Sequence, residues 1–162
     1  MIKVGDAMPS AKLTAATPDG PKEMSTQEVF EGKTVVLFAV PGAFTPTCSM
    51  KHLPGYLQNL DALKAKGVDT VACVAVNDPF VMAAWAKDQG VDGRIMMLAD
   101  GSGAFTRALG LELDLTGRGL GIRSQRYAMV VENGKVKSLN VEPPGGFEVS
   151  RAETVLAGLS AP

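Results

Sequence analysis

Short, wholly apolar runs alternate along this chain with stretches whose apolar residues recur at helical spacing, and Gly, Pro and Asn/Asp separate the two kinds. Val35-Val-Leu-Phe-Ala-Val40, stopped by Pro41-Gly42, and Val71-Ala-Cys-Val-Ala-Val76 are rich in β-branched side chains and too short for helices. They predict buried strands, the second of them central. Ile95 to Ala99 predicts a third, and Lys12 to Thr17 a short strand closed by a tight turn at Pro18-Asp-Gly-Pro21. Between these runs the period changes. Leu53, Leu57, Leu60 and Leu63 predict one helix that begins near Cys48 and stops at Lys64-Ala-Lys66-Gly67. Ser25-Thr-Gln-Glu28 is a capping-box pattern for a short helix ending at Gly32. Asn77-Asp78-Pro79 supplies a cap and a first-turn proline for a helix bearing Phe80, Ala84 and Trp85. Asp100-Gly-Ser102 leads into a helix with Phe105 and Leu109, and a last helix runs over roughly 151–159. Asn133-Gly134 marks the turn of a hairpin between Tyr127–Val131 and Val136–Val141. Strands interleaved with helices and followed by an antiparallel hairpin predict an α/β fold, a central mixed β-sheet flanked by helices in three layers.

Composition narrows this picture modestly. The 162 residues suit one domain, 1–162, with a substantial core and no internal repeat or linker. A formal net charge of −1 argues against nucleic acid and anionic membrane surfaces as partners. The longest apolar runs fall far short of the ~20 residues that span a bilayer. Met1-Ile-Lys-Val-Gly-Asp6 does not read as a secretory signal. Two cysteines are too few for a disulfide framework and point to a reducing compartment, so a cytoplasmic location is expected.

The chemistry concentrates at Pro41-Gly-Ala-Phe-Thr45-Pro-Thr-Cys48, which sets a cysteine just after an apolar strand and at the start of a helix. Unpaired N–H groups and the positive end of the helix dipole favour an anion there, an environment expected to lower a thiol from its reference of about 8.5. A thioredoxin-like fold fits this order of elements, with its redox residue at a strand–helix junction. Thioredoxins carry Cys-x-x-Cys at that place, whereas Thr45-Pro-Thr-Cys48 keeps one sulfur and puts a hydroxyl where the other would stand. A lone thiolate beside a hydroxyl cannot cycle a local dithiol, but it can attack an electrophile.

Pro41-x3-Thr45-x2-Cys48 resembles the active-site signature of the peroxiredoxins, and Lys51-His-Leu-Pro-Gly55 resembles the type II subfamily that includes the atypical two-cysteine enzymes. Val76-Asn-Asp-Pro-Phe80, Leu98-Ala-Asp-Gly101, Leu109-Gly-Leu-Glu-Leu-Asp114, Arg126-Tyr-Ala-Met-Val-Val131 and Asn140-Val-Glu-Pro143 extend the likeness, which is nearest to the plant and bacterial branch. The resemblance implies a thiol peroxidase for hydrogen peroxide and alkyl hydroperoxides, without a bound cofactor or metal. It makes Cys48 the nucleophile that becomes a sulfenic acid. Thr45 would hydrogen-bond thiolate and peroxide, Arg126 would favour the thiolate and bind peroxide oxygens, and Pro41 would shield the sulfenic acid. Arg123 lies close by in sequence, but the flanking Tyr127-Ala-Met-Val-Val131 favours Arg126. Ionisation alone gains at most roughly thirtyfold over a thiol that is about 3% thiolate at pH 7. Donors aimed at the departing oxygen, commonly worth ~3 kcal/mol each, must supply more.

Regeneration turns on the other sulfur, Cys73, which lies mid-strand and reads as a small buried hydrophobe. Animal relatives carry a resolving cysteine close to where Phe147-Glu-Val-Ser150 stands here without one. The departure implies one-cysteine chemistry recycled by glutathione, with or without glutaredoxin. Recycling by thioredoxin with Cys73 as resolving cysteine, or a non-catalytic peroxide sensor, are the alternatives. The only histidine, His52, is expected to pack near the pocket rather than act as the base of a cysteine hydrolase. Gly117-Arg-Gly-Leu-Gly121 reads as a flexible loop near Arg126, not a phosphate cradle. A homodimer is expected from the subfamily, with Phe44, Phe80 and Phe147 as candidate surface residues.

Overall fold

The computed structural model describes residues 1–159. A seven-stranded mixed sheet forms its middle layer, in the order β2-β1-β5-β4-β3-β8-β9. These strands are β1 (Lys12–Thr17), β2 (Gly20–Ser25), β3 (Thr34–Ala39), β4 (Thr70–Ala75), β5 (Met96–Ala99), β8 (Tyr127–Glu132) and β9 (Lys135–Val141). β3, β4 and β5 run parallel, and the remaining pairings are antiparallel. β4, the run around Cys73, is the central strand.

The pleat divides each apolar run between two cores. Val36, Phe38, Val71, Cys73, Ala75, Ala128 and Val130 face one layer of helices. It comprises α2 (Leu53–Gln58), α3 (Leu60–Ala65), α4 (Pro79–Asp88) and α6 (Ala152–Gly158), which bury Leu53, Tyr56, Leu63, Trp85 and Val155. Val35, Leu37, Ala39, Ala72, Val74 and Met129 face the other layer, made by α1 (Thr26–Phe30) and α5 (Ala104–Leu109). Both faces are covered, which explains why these strands read as continuous apolar runs rather than alternating ones.

Several expectations need correction. The single helix expected between Cys48 and Gly67 is broken in two places. Cys48–His52 form one π-helical turn, in which the Leu53 N–H reaches the Cys48 carbonyl, and α2 and α3 are separated at Asn59. The Asn59 amide donates to the Gly55 carbonyl four residues back, a local competitor for helix continuation. β2 was not legible because it is an edge strand, largely exposed, with Pro21 and two charges. Gly117–Gly121 is not a free loop. It closes a separate hairpin of β6 (Glu112–Leu115) and β7 (Gly121–Ser124) through a 3-10 turn at Thr116–Arg118.

Candidate active site

Cys48 follows β3 across the loop of residues 40–45 and lies within the first turn of the helical segment that starts at Pro46, where the Ser49 N–H already bonds the Thr45 carbonyl. The loop that delivers it is held under strain, since Phe44 sits at φ 64° with its ring exposed. Asn77 at the end of β4 anchors this loop by accepting the Ala43 N–H at 2.9 Å. On the other side of Cys48, the Trp85 indole of α4 donates to Ser49 Oγ at 2.9 Å.

Cys48 is fully buried, and its sulfur accepts a hydrogen bond from Arg126 Nη2 at 3.1 Å. Arg126 immediately precedes β8, and β8 pairs antiparallel with β3, so the sheet brings together residues 78 positions apart. The guanidinium is a permanent cation, and its fork of donors reaches the sulfur directly. Arg123 is directed elsewhere, its Nε donating to the Leu120 carbonyl. Pro41 and Arg126 line one small cleft of about 70 Å³ with Leu113, Glu142 and Pro143. Three larger clefts elsewhere on the surface contain none of the site's side chains.

Thr45 departs from expectation. Its hydroxyl donates to the Gly42 carbonyl at 2.7 Å rather than to Cys48. That bond uses the proton and leaves the oxygen free to accept.

The groups behind Arg126 carry little signal in the sequence. His52, placed one turn beyond Cys48, receives Arg126 Nη1 on its Nδ1 at 2.8 Å, and its Nε2 donates to the Ser150 carbonyl at 3.1 Å. Burial first, and then the Arg126 charge, push its pKa down to about 3, against a smaller opposing effect of the Ser150 bond. The imidazole is therefore neutral and not available as a base for Cys48. Tyr56 donates to the same Ser150 carbonyl at 2.7 Å. Glu142 accepts from the Glu148 N–H, the Ser150 N–H and the Ser150 hydroxyl on one oxygen. Spacing alone hinted at His52; nothing in the sequence linked it to Ser150.

Cys73 is buried on β4, in register with Phe38 of the neighbouring β3. Burial, and then the negative charge of a Cys48 thiolate, push its thiol well up. It remains protonated at neutral pH.

A family model described as Redoxin matches residues 3–156. A rice peroxiredoxin-2C is 50% identical over 159 residues, covering 98% of each chain. The chloroplastic peroxiredoxin-2E of Arabidopsis thaliana is 48% identical over 162 residues, 98% of this chain and 69% of its own. A crystal structure of reduced Prx3 from Vibrio vulnificus in complex with hydrogen peroxide superposes with a TM-score of 0.94 at 57% identity, over 99% of this chain and 100% of that one. With these matches running the length of the fold and a buried cysteine under an arginine at its strand–helix junction, the chain belongs to the redoxin family as a type II peroxiredoxin, a thiol peroxidase.

Proposed function

We propose that this peroxiredoxin works with one cysteine and is recycled by an external thiol, glutathione with or without glutaredoxin. The observation that carries this reading is the state of Cys73, fully buried with its thiol held protonated, in a chain whose only other cysteine is Cys48. In the oxidative step the Cys48 thiolate attacks one oxygen of hydrogen peroxide or an alkyl hydroperoxide. An S–O bond forms, the O–O bond breaks, and the departing oxygen takes up a proton and leaves as water or alcohol. Arg126 stabilises the charge moving onto that oxygen, the Thr45 oxygen accepts a hydrogen bond from the peroxide O–H, and Pro41 shields the sulfenic acid. In the reductive step one glutathione thiolate attacks the sulfenic sulfur and releases water, giving a mixed disulfide. A second glutathione displaces Cys48 and leaves as glutathione disulfide.

Two free thiols fit a cytoplasmic, reducing setting. The working unit is a homodimer through the face around Phe44, Met50 and Phe80, large apolar side chains that are 52%, 76% and 72% exposed.

The test is mass spectrometry after one equivalent of peroxide, with and without glutathione. A glutathione adduct on Cys48 is expected, and a Cys48–Cys73 disulfide would overturn the one-cysteine reading. In the same assays Cys48→Ser abolishes peroxide consumption, and Arg126→Ala slows oxidation by about two to three orders of magnitude.

A further inference from the structure

Arg126 is a half-buried cation with no carboxylate at ion-pairing distance among the described residues, where the one such pair is Lys12–Glu23. Its head is nevertheless held at two points, Nη2 on the Cys48 sulfur and Nη1 on His52 Nδ1. An arginine can only donate, so Nδ1 must present its lone pair. A carbonyl can only accept, so the nitrogen facing Ser150 must carry the proton. The two bonds select a single neutral tautomer of the imidazole.

A neutral acceptor and a carboxylate would do different things here. A carboxylate bidentate on Arg126 would orient it but cancel much of the field it exerts on the sulfur, because both charges would lie in the same poorly solvated site. The imidazole orients the guanidinium and leaves its charge whole.

The ring itself is immobilised. It packs against Phe38, Tyr56 and Phe147 at centroid distances of 4.9, 5.6 and 5.2 Å. The Ser150 carbonyl that holds Nε2 is fixed in turn by the Tyr56 hydroxyl and by the bonds that Ser150 makes to Glu142.

From this geometry we propose that His52 is the positioning residue of Arg126, a neutral hydrogen-bond acceptor that aims the guanidinium at Cys48, with Ser150 as its anchor. It acts on the chemistry only through Arg126 and exchanges no proton with Cys48 or peroxide. The inference rests on the thiol-peroxidase reading of the site.

The experiment is the stopped-flow rate of Cys48 oxidation by hydrogen peroxide, with far-ultraviolet circular dichroism to check folding. His52→Phe keeps a planar ring but offers no acceptor. It should slow oxidation about ten- to a hundredfold, the worth of a hydrogen bond to a charged group. His52→Asn, whose side-chain oxygen takes the place of Nδ1, should recover most of that loss, whereas His52→Gln, which matches Nε2, should recover little. In an Arg126→Ala background His52→Phe should cost nothing further, a result that a general packing defect would not produce. A wild-type rate in a folded His52→Phe variant, or losses that multiply in the double variant, would overturn the proposal. If His52→Phe does not fold, equal rates for the Asn and Gln variants would overturn it. Lack of reaction between the wild-type protein and peroxide would instead count against the peroxidase reading itself.

Discussion

His52 is the only histidine in the chain and is fully buried beside a permanent cation, so any imidazole contribution to the pH dependence of stability belongs to this one side chain. In the unfolded chain an imidazole takes up a proton below about pH 6.5, whereas in the folded protein it does so only near 3. Between those values the unfolded state binds the extra proton. Stability therefore rises with pH through this window, is fully present above the unfolded value, and is lost as pH falls toward the folded one. The slope approaches about 1.4 kcal/mol per pH unit inside the window. Urea midpoints at about pH 7.5 and about pH 5.5 measure it before most carboxylates protonate. The wild-type midpoint should fall between the two, and the fall should be much smaller in His52→Gln. Equal wild-type midpoints would contradict a neutral buried imidazole. At this scale the nucleophile was plain in the sequence and its support was not. Cys48 announces itself through its immediate neighbours, but the Thr45 hydroxyl turns to Gly42, and the acceptor for Arg126 depends on which side chains the sheet and the 142–150 segment bring together.

Elements with an apolar signal were easy to read. β3, β4 and β5 carry it because both their faces are buried, and α1 and α4 because their caps are explicit. Ser25 and Glu28 form the reciprocal capping box on α1, and Asp78 accepts the Val81 N–H at the start of α4. β2 and the β6–β7 hairpin lie at an edge or outside the main sheet, so they bury few side chains and are too short or too polar to give a strong apolar run. The π-helical turn at Cys48–His52 was equally silent, because the shift from one hydrogen-bond partner to the next leaves composition unchanged. The segment after β9 belongs to this group as well. A single buried Glu142 oxygen that accepts three hydrogen bonds holds its backbone, together with the Asn140 amide on the Val149 carbonyl and the Tyr56 hydroxyl on the Ser150 carbonyl. Glu142→Ala should leave buried donors unpaired and cost about 3 kcal/mol by urea unfolding. It should also speed amide exchange at Glu148 and Ser150. Wild-type protection at those two amides would show that the segment is held by something else.

Across the whole molecule, the segment around Cys48 is tied at two points to the next parallel unit of the fold, Ala43 to Asn77 in the β4–α4 connection and Ser49 to Trp85 on α4. These ties set Phe44 and Met50 on one side and Phe80 on the other at the same end of the sheet, with their apolar side chains in solvent. If that face joins two copies, sedimentation velocity should find the wild type as a dimer and Phe80→Asp as a folded monomer. A monomeric wild type at micromolar concentration would remove this face as the interface. Phe147, expected from the sequence to lie on such a surface, instead packs edge-on against His52 and beneath Arg126, and so belongs to the site. The sequence by itself determined the α/β architecture, the central strands and the strand–turn–helix setting of Cys48, because each is written in local periodicity and punctuation. The tertiary structure alone decided which groups surround the sulfur. Arg126 reaches Cys48 by antiparallel pairing of β8 with β3, and Ser150 reaches His52 by the return of the chain after β9. Hydrogen bonds between residues so far apart in the chain leave no periodic trace, since their direction is set only once the sheet has formed.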